Sequence, residues 1–308
     1  MTGPTAPRDH GGGLDAAASR FGGARSDWLD LSTGINPVPY PLSDIPASAW
    51  TQLPDHGAMD RLLSAARTFW NVPDGTAIAA APGASAIIAR LPHLMPGDVH
   101  ITEPTYNEWR AAFGPRVTNA PDAPIRIHVH PNNPDGRHLN ADAITESTII
   151  DESFVDEDPA LSHIASGATI VKSFGKFWGL AGLRLGFLIG TPNLIEQFQH
   201  TLGPWPISGP ALAVGTKALS DHTWAQNTRT SLLRDAARLD DLILSTGATL
   251  VGGTTLFRTY HIADGADRWQ ERLAQHHIWT RTFPYAPTWL RLGLPGTEPD
   301  WQRLEAAL

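Results

Sequence analysis

The sequence predicts an α/β fold in which a large domain on a mainly parallel sheet is followed by a small α+β domain. Three observations predict it. Six apolar runs of strand length, at residues 77–81, 99–102, 125–130, 148–150, 168–171 and 185–189, alternate with helical or turn segments, as expected for strands joined by crossover helices. A chain of 308 residues with 42% apolar and 18% charged side chains can bury one large core and a smaller second one. Beyond Gly203 the alternation gives way to long helical stretches and a few separate strand candidates, which suits a distinct α+β unit.

From the N-terminus, about the first 40 residues are irregular and rich in Gly and Pro, with a helix predicted over 14–21. Apolar residues at helical spacing predict an amphipathic helix over 59–69. The run at 77–81 leads through Pro82-Gly83-Ala84-Ser85 into an apolar helix at 86–91. Ser208-Gly209-Pro210 reads as a helix start, with a capping serine and a first-turn proline. A long helix rich in Ala, Leu and Arg is predicted over 221–245, ended by Gly247. Strand candidates at 255–261 and 289–292 close the chain. These shifts divide it into an N-terminal arm over 1–35 that packs with the small domain, a large domain over 36–222 and a small C-terminal domain over 223–308.

Composition narrows the function. Acidic residues outnumber basic ones 31 to 23 and no basic block occurs, so nucleic acid and anionic membrane surfaces are poor partners. Cysteine is absent, which excludes disulfides, thiolate metal sites and a cysteine nucleophile and is compatible with the cytoplasm. Residues 1–13 have no apolar core and are not expected to be a signal peptide, and no apolar run is long enough to span a bilayer. Of the 13 histidines, His128 and His130 share a strand face and His276 and His277 are adjacent, but none shows ligand spacing with carboxylates, so no metal is expected.

Four strand candidates end in polar clusters, and parallel α/β sheets bind ligands at the carboxyl ends of their strands. Gly83-Ala84-Ser85 opens a helix, where free N–H groups and the helix dipole favour an anion; an ordinary strand-to-helix turn would look the same. His130-Pro131-Asn132-Asn133-Pro134-Asp135-Gly136 also suits a simple turn. Asp151-Glu152-Ser153-Phe154 places a carboxylate at the end of a buried strand, which is costly without a partner. Ser173-Phe174-Gly175-Lys176 is followed eight residues later by Arg184. A lysine there is either a solvated end residue or a nucleophile with a lowered pKa.

In this order the clusters resemble the fold-type-I pyridoxal-phosphate (PLP) enzymes, the aspartate-aminotransferase superfamily, over roughly residues 29–294. The resemblance implies a mainly parallel sheet of the seven-stranded type and PLP as cofactor. Lys176 would carry the cofactor as an imine, and Asp151 would pair with the pyridine nitrogen and keep the ring an electron sink. Asn133 would meet the phenolic oxygen and Tyr106 would stack on the ring. Gly83, Ala84, Ser85, Ser173 and Arg184 would hold the phosphate. Arg291, inside an apolar strand candidate, would clamp a substrate carboxylate. Relatives form two-fold homodimers with active sites at the interface, for which Trp50 and Trp205 are candidate anchors.

Within the superfamily the chain resembles the threonine-phosphate decarboxylases of cobalamin biosynthesis, which are related to the histidinol-phosphate aminotransferases. His10-Gly11-Gly12, the segment Leu31-Ser32-Thr33-Gly34-Ile35-Asn36-Pro37, and Phe154 where most aminotransferases have tyrosine carry that resemblance. It implies decarboxylation of L-threonine O-3-phosphate, a small phosphorylated amino acid, with His10, Ser32 and Asn36 near the substrate phosphate. The alternatives are an aminotransferase, which would need an oxo acid and release no CO₂, and a non-catalytic PLP-binding module, which usually carries a basic DNA-binding domain. The short stretch between Tyr106 and Asn133 predicts a missing or shortened helical layer there.

Overall fold

The structure is a computed structural model that describes residues 10–42 and 45–308. The first of its elements are α1 (Leu14–Phe21), β1 (Leu29–Asp30), α2 (Ala47–Thr51) and α3 (His56–Phe69). Next come β2 (Ala77–Ala81), α4 (Ala84–Leu94), β3 (Val99–Ile101), α5 (Asn107–Phe113), β4 (Val117–Thr118) and β5 (Ile125–Val129). They are followed by β6 (Thr148–Asp151), β7 (Thr169–Ser173), β8 (Gly186–Gly190), α6 (Pro192–Leu202) and α7 (Gly209–Leu219). These strands form a seven-stranded sheet in the order β2-β8-β7-β6-β5-β3-β4. β8 runs antiparallel to both its neighbours, and the other pairs are parallel.

Strand alternation builds the layers. Ile150, Ile170 and Phe187 point into one core with α3 and α7, while Ile149, Val171 and Leu188 point into another with α4 and α6. The same alternation separates polar groups at the strand ends. Lys172 and Glu152 meet on the first side, with Nζ to Oε2 at 2.6 Å, and Asp156 lies 3.7 Å from the same Nζ. Asp151 lies next to Glu152 in sequence and is directed the other way, to Trp109 in the second core. The stretch between Tyr106 and Asn133 holds α5, β4 and β5, but the helix and the first strand are short: α5 has seven residues and β4 has two.

The remaining chain forms α8 (His222–Leu244), β9 (Thr249–Gly253), β10 (Phe257–His261), α9 (Ala266–Gln275), β11 (Ile278–Trp279), β12 (Arg281–Phe283), β13 (Ala286–Gly293) and α10 (Glu298–Ala307). Asp221 caps α8 by accepting from Trp224 N, and Ser208 caps α7 by accepting from Ala211 N. β12-β13-β10-β9 form an antiparallel sheet. The N-terminal segment joins this part of the molecule, since β1 pairs in parallel with β11 and the indole of Trp279 donates to Gly12 O at 2.9 Å. Among the described residues no helix is long and apolar enough to cross a membrane.

Candidate active site

A cavity of about 210 Å³ opens at the carboxyl ends of β2, β6 and β7. It is lined by Gly83, Ala84 and Ser85 from the start of α4, by Tyr106 and Asn133, and by Asp151, Phe154, Ser173, Lys176 and Arg184. The structure thus brings together all nine residues that the sequence places around a cofactor.

The turn before α4 depends on two glycines. A Cβ on Gly83, whose φ is 87°, would lie 2.6 Å from Arg184 Nη2, and one on Gly186 would lie 2.6 Å from Ala84 N. Arg184 can therefore lie against a helix start that has no side-chain cap and whose first N–H groups lack intrahelical acceptors. Arg184 itself holds a left-handed backbone, φ 53° and ψ 56°, a costly conformation for a non-glycine residue that tends to occur at functional sites. Cationic guanidinium and unpaired N–H groups on one wall suit a phosphate.

Asp151 lies across the cavity and is 2% exposed. Its Oδ1 accepts from Ser153 N at 3.1 Å and Ser153 Oγ at 2.5 Å, and its Oδ2 accepts from the Trp109 indole at 2.9 Å. Burial pushes the carboxyl above its ordinary value, while the Ser153 and Trp109 donors and the charge of Lys176 pull it back. Lys176 has its Nζ 5.4 Å from the centre of the Phe154 ring. Burial lowers its pKa from 10.5 to about 8, the charges of Arg291 and Arg184 lower it too, and Asp151 opposes them. A neutral amine is the form that attacks a carbonyl carbon.

A second cavity of about 330 Å³ shares Tyr106, Asn133 and Lys176 with the first and adds His10, Arg281, Tyr285 and Arg291. Arg291 on β13 is directly opposite Arg281 on β12. Its Nη2 donates to Ser32 O at 2.6 Å, its Nη1 donates to Asn133 Oδ1, and its buried Nε has no hydrogen-bond partner among the described residues. Burial and the neighbouring Arg281 charge bring Arg291 down to about 10. Two facing cations in a cross-strand pair repel, so this cavity calls for an anion.

The four expected substrate residues separate. His10 and Arg291 line the second cavity. His10 Nε2 lies 2.9 Å from Glu108 Oε1, and its carbonyl accepts from Arg281 at 2.9 Å. Ser32 and Asn36 line neither cavity. Ser32 Oγ accepts from Gly12 N and donates to Asp30 Oδ1, both at 2.6 Å, so its side chain shapes the arm while its carbonyl holds Arg291. Asn36 is 3% exposed; it donates from Nδ2 to Phe177 O at 2.9 Å and from its backbone to Lys176 O at 3.0 Å. Its geometry is that of a clasp on the loop bearing Lys176. Sequence reasoning misses Ser153 and Arg281, which line these cavities, and Trp109, which lines neither but donates to Asp151 from the core. Trp109 stands one helical turn past Tyr106, which could have signalled it; the pairing of Arg281 with Arg291 is a matter of strand register. Among the described residues no group of three or more His, Cys, Asp or Glu side chains is arranged to hold a metal.

Comparison with known proteins places this geometry among relatives. The profile of the aminotransferase class I and II family matches residues 116–308. A threonine-phosphate decarboxylase from Sinorhizobium sp is 40% identical, with 99% of this chain and 98% of that protein covered. One from Pseudomonas aeruginosa is 36% identical, with 97% of each covered. The solved structure of histidinol-phosphate aminotransferase from Sinorhizobium meliloti in complex with pyridoxal-5'-phosphate superposes with a TM-score of 0.82 at 18% identity, covering 100% of this chain and 97% of that one.

Proposed function

The chain belongs to the aminotransferase class I and II family, alongside its threonine-phosphate decarboxylases, and on that premise we propose that it is a PLP-dependent carboxy-lyase. It converts L-threonine O-3-phosphate to (R)-1-amino-2-propanol O-2-phosphate and CO₂, a step of cobalamin biosynthesis. The observation that carries the reading is the cavity with two facing arginines, Arg281 and Arg291, beside Lys176. A substrate with a carboxylate at one end and a phosphate at the other brings two anions to this pair.

The residues present fit PLP. The Gly83 turn, Ser85, Ser173 and Arg184 suit its phosphate, Asp151 its ring nitrogen, Asn133 its phenolic oxygen, and Tyr106 the ring face. With its Oδ1 held by Arg291, Asn133 offers the amide N–H that such an oxygen needs. When bound, PLP supplies an electron sink for the pair left at Cα as the carboxylate departs. Lys176 holds the cofactor and, at the junction of the two cavities, delivers the proton that replaces CO₂ at Cα. Arg291 faces the carboxylate, while Arg281 and His10 face the phosphate. Both terminal nitrogens of Arg291 already have protein acceptors, so the carboxylate is gripped loosely. Binding energy from the remote phosphate can then set the angle of the breaking bond. That balance favours decarboxylation over transamination.

The division into arm, large domain and small domain at residues 35 and 222 belongs to the same reading, as do a cytoplasmic location and a two-fold dimer with the site near its interface. The dimer is supported by Trp50, Leu53 and Trp205, which are 68%, 70% and 57% exposed, and by an apolar groove that Trp205 lines with Met59, Leu202 and Ile207.

The test is an assay of PLP-loaded protein with L-threonine O-3-phosphate, with and without 2-oxoglutarate. CO₂ release independent of the oxo acid is expected. Turnover that requires 2-oxoglutarate and releases no CO₂ would make the chain an aminotransferase.

A further inference from the structure

We propose that Trp109 is a positioning residue for Asp151, its indole N–H fixing the direction of the carboxylate and keeping it anionic for a cofactor ring nitrogen. The proposal rests on the reading that PLP occupies the first cavity.

Asp151 is costly where it stands. It ends β6 at 2% exposure, and an unpaired carboxylate in such surroundings takes up a proton. A protonated acid could no longer pair with a pyridinium. Three hydrogen bonds oppose that outcome. Two come from Ser153, only two residues away, and both end on Oδ1. The third comes from α5 and ends on Oδ2.

Trp109 is fully buried, packed near Phe113 with ring centroids 6.5 Å apart, in the core that holds Ile127 and Val129. Apolar side chains of that kind could not replace the indole as donors. An indole donates and never accepts, so it favours the ionised acid without competing for the proton of a ring nitrogen. Its place in the chain adds a second constraint. Tyr106 is the N-cap of α5 and Trp109 stands within the first turn. The side chain proposed to stack on the ring and the one that aims the acid are thereby carried by a single rigid element, and a shift of α5 would move both.

The experiment uses holoenzyme loaded with PLP labelled with ¹⁵N in the ring, and compares wild type with Trp109→Phe, which keeps an aromatic ring and loses the donor. In wild type the ring-nitrogen resonance should stay in the protonated range from about pH 6 to 9. In Trp109→Phe it should move toward the unprotonated position and titrate within that range, and the PLP dissociation constant should rise about tenfold, the size expected for one hydrogen bond to a charged group. Trp109→His, which restores a ring N–H, should bring the resonance back toward wild type. A Phe variant with an unchanged resonance and pH dependence overturns the proposal, as do Phe and His variants that behave alike. If Trp109→Phe fails to fold, Trp109→His decides: a resonance in the protonated range supports the role and an unprotonated one removes it. Wild-type protein that forms no lysine-linked PLP absorbance band overturns the reading of the cavity itself, an outcome separate from the others.

Discussion

The amine of Lys176 titrates at about 8 rather than 10.5 because burial and the charges of Arg291 and Arg184 outweigh Asp151. At pH 7 roughly one molecule in ten is then neutral, against fewer than one in a thousand for an unperturbed lysine. Between about 8 and 10.5 the unfolded chain binds a proton that the folded chain lacks, so this group adds to stability as pH rises through that window. Cofactor loading of the PLP-free protein should follow the neutral amine, with a rate that rises through about pH 8 and levels off above it, read by stopped-flow absorbance. A rate flat from pH 6 to 9 would show that Lys176 is not the attacking group, and Lys176→Ala should form no lysine-linked band. The spacing from Lys176 to Arg184, together with the glycine, amide and acid clusters that end other strands in order, singles out both residues. It could not reveal Arg281, whose effect on Arg291 arises only when β12 lies beside β13.

Between elements, the turn at Val155–Glu157 that follows β6 meets the segment joining β9 to β10. Glu157 is buried there and accepts from Thr255 Oγ1, while its Oε1 has no hydrogen-bond partner among the described residues. Burial raises its pKa from 4.5 to about 7, against the pull of hydrogen bonds from Thr255 and Thr254. From about 4.5 to 7 the folded protein therefore holds a proton that the unfolded chain has released, so this group's contribution to stability falls as pH rises and its loss is complete above 7. Glu157→Gln should abolish that dependence and, at pH 8, stabilise the protein by on the order of 2–3 kcal/mol in denaturant melts. Equal pH dependence in wild type and variant would assign it to other groups. Local signals make several elements legible in the sequence: apolar runs of strand length for β2, β5 and β7, the cap Ser208 for α7, and the Ala-, Leu- and Arg-rich stretch for α8. Elements too short to show a period, such as β4, β11 and β12, owe their form to tertiary pairing and left no such mark. Ser32 and Asn36 show the same limit at the site. Their polarity pointed to a ligand, whereas in the fold their side chains hold the arm and the Lys176 loop.

Across the whole molecule, the first cavity lies at the strand ends of the seven-stranded sheet, and the second lies where that sheet meets β12, β13 and the N-terminal segment. On the proposed function, substrate binding would engage both sheets. The exposed Trp50, Leu53 and Trp205 predict that sedimentation will give twice the 33.2 kDa chain mass and that Leu53→Asp will shift the protein toward monomer. A wild-type monomer with full activity would contradict an interfacial site. On the proposed function, Lys176 and the paired arginines direct the loss of CO₂ from a phosphorylated amino acid. The most direct test is turnover of L-[1-¹³C]threonine O-3-phosphate in D₂O without any oxo acid, followed by NMR. One equivalent of ¹³C-labelled CO₂ or bicarbonate is expected for each amine phosphate formed, with a single deuterium on the former Cα. Label retained in a 2-oxo acid, with the amino group left on the cofactor, would contradict it.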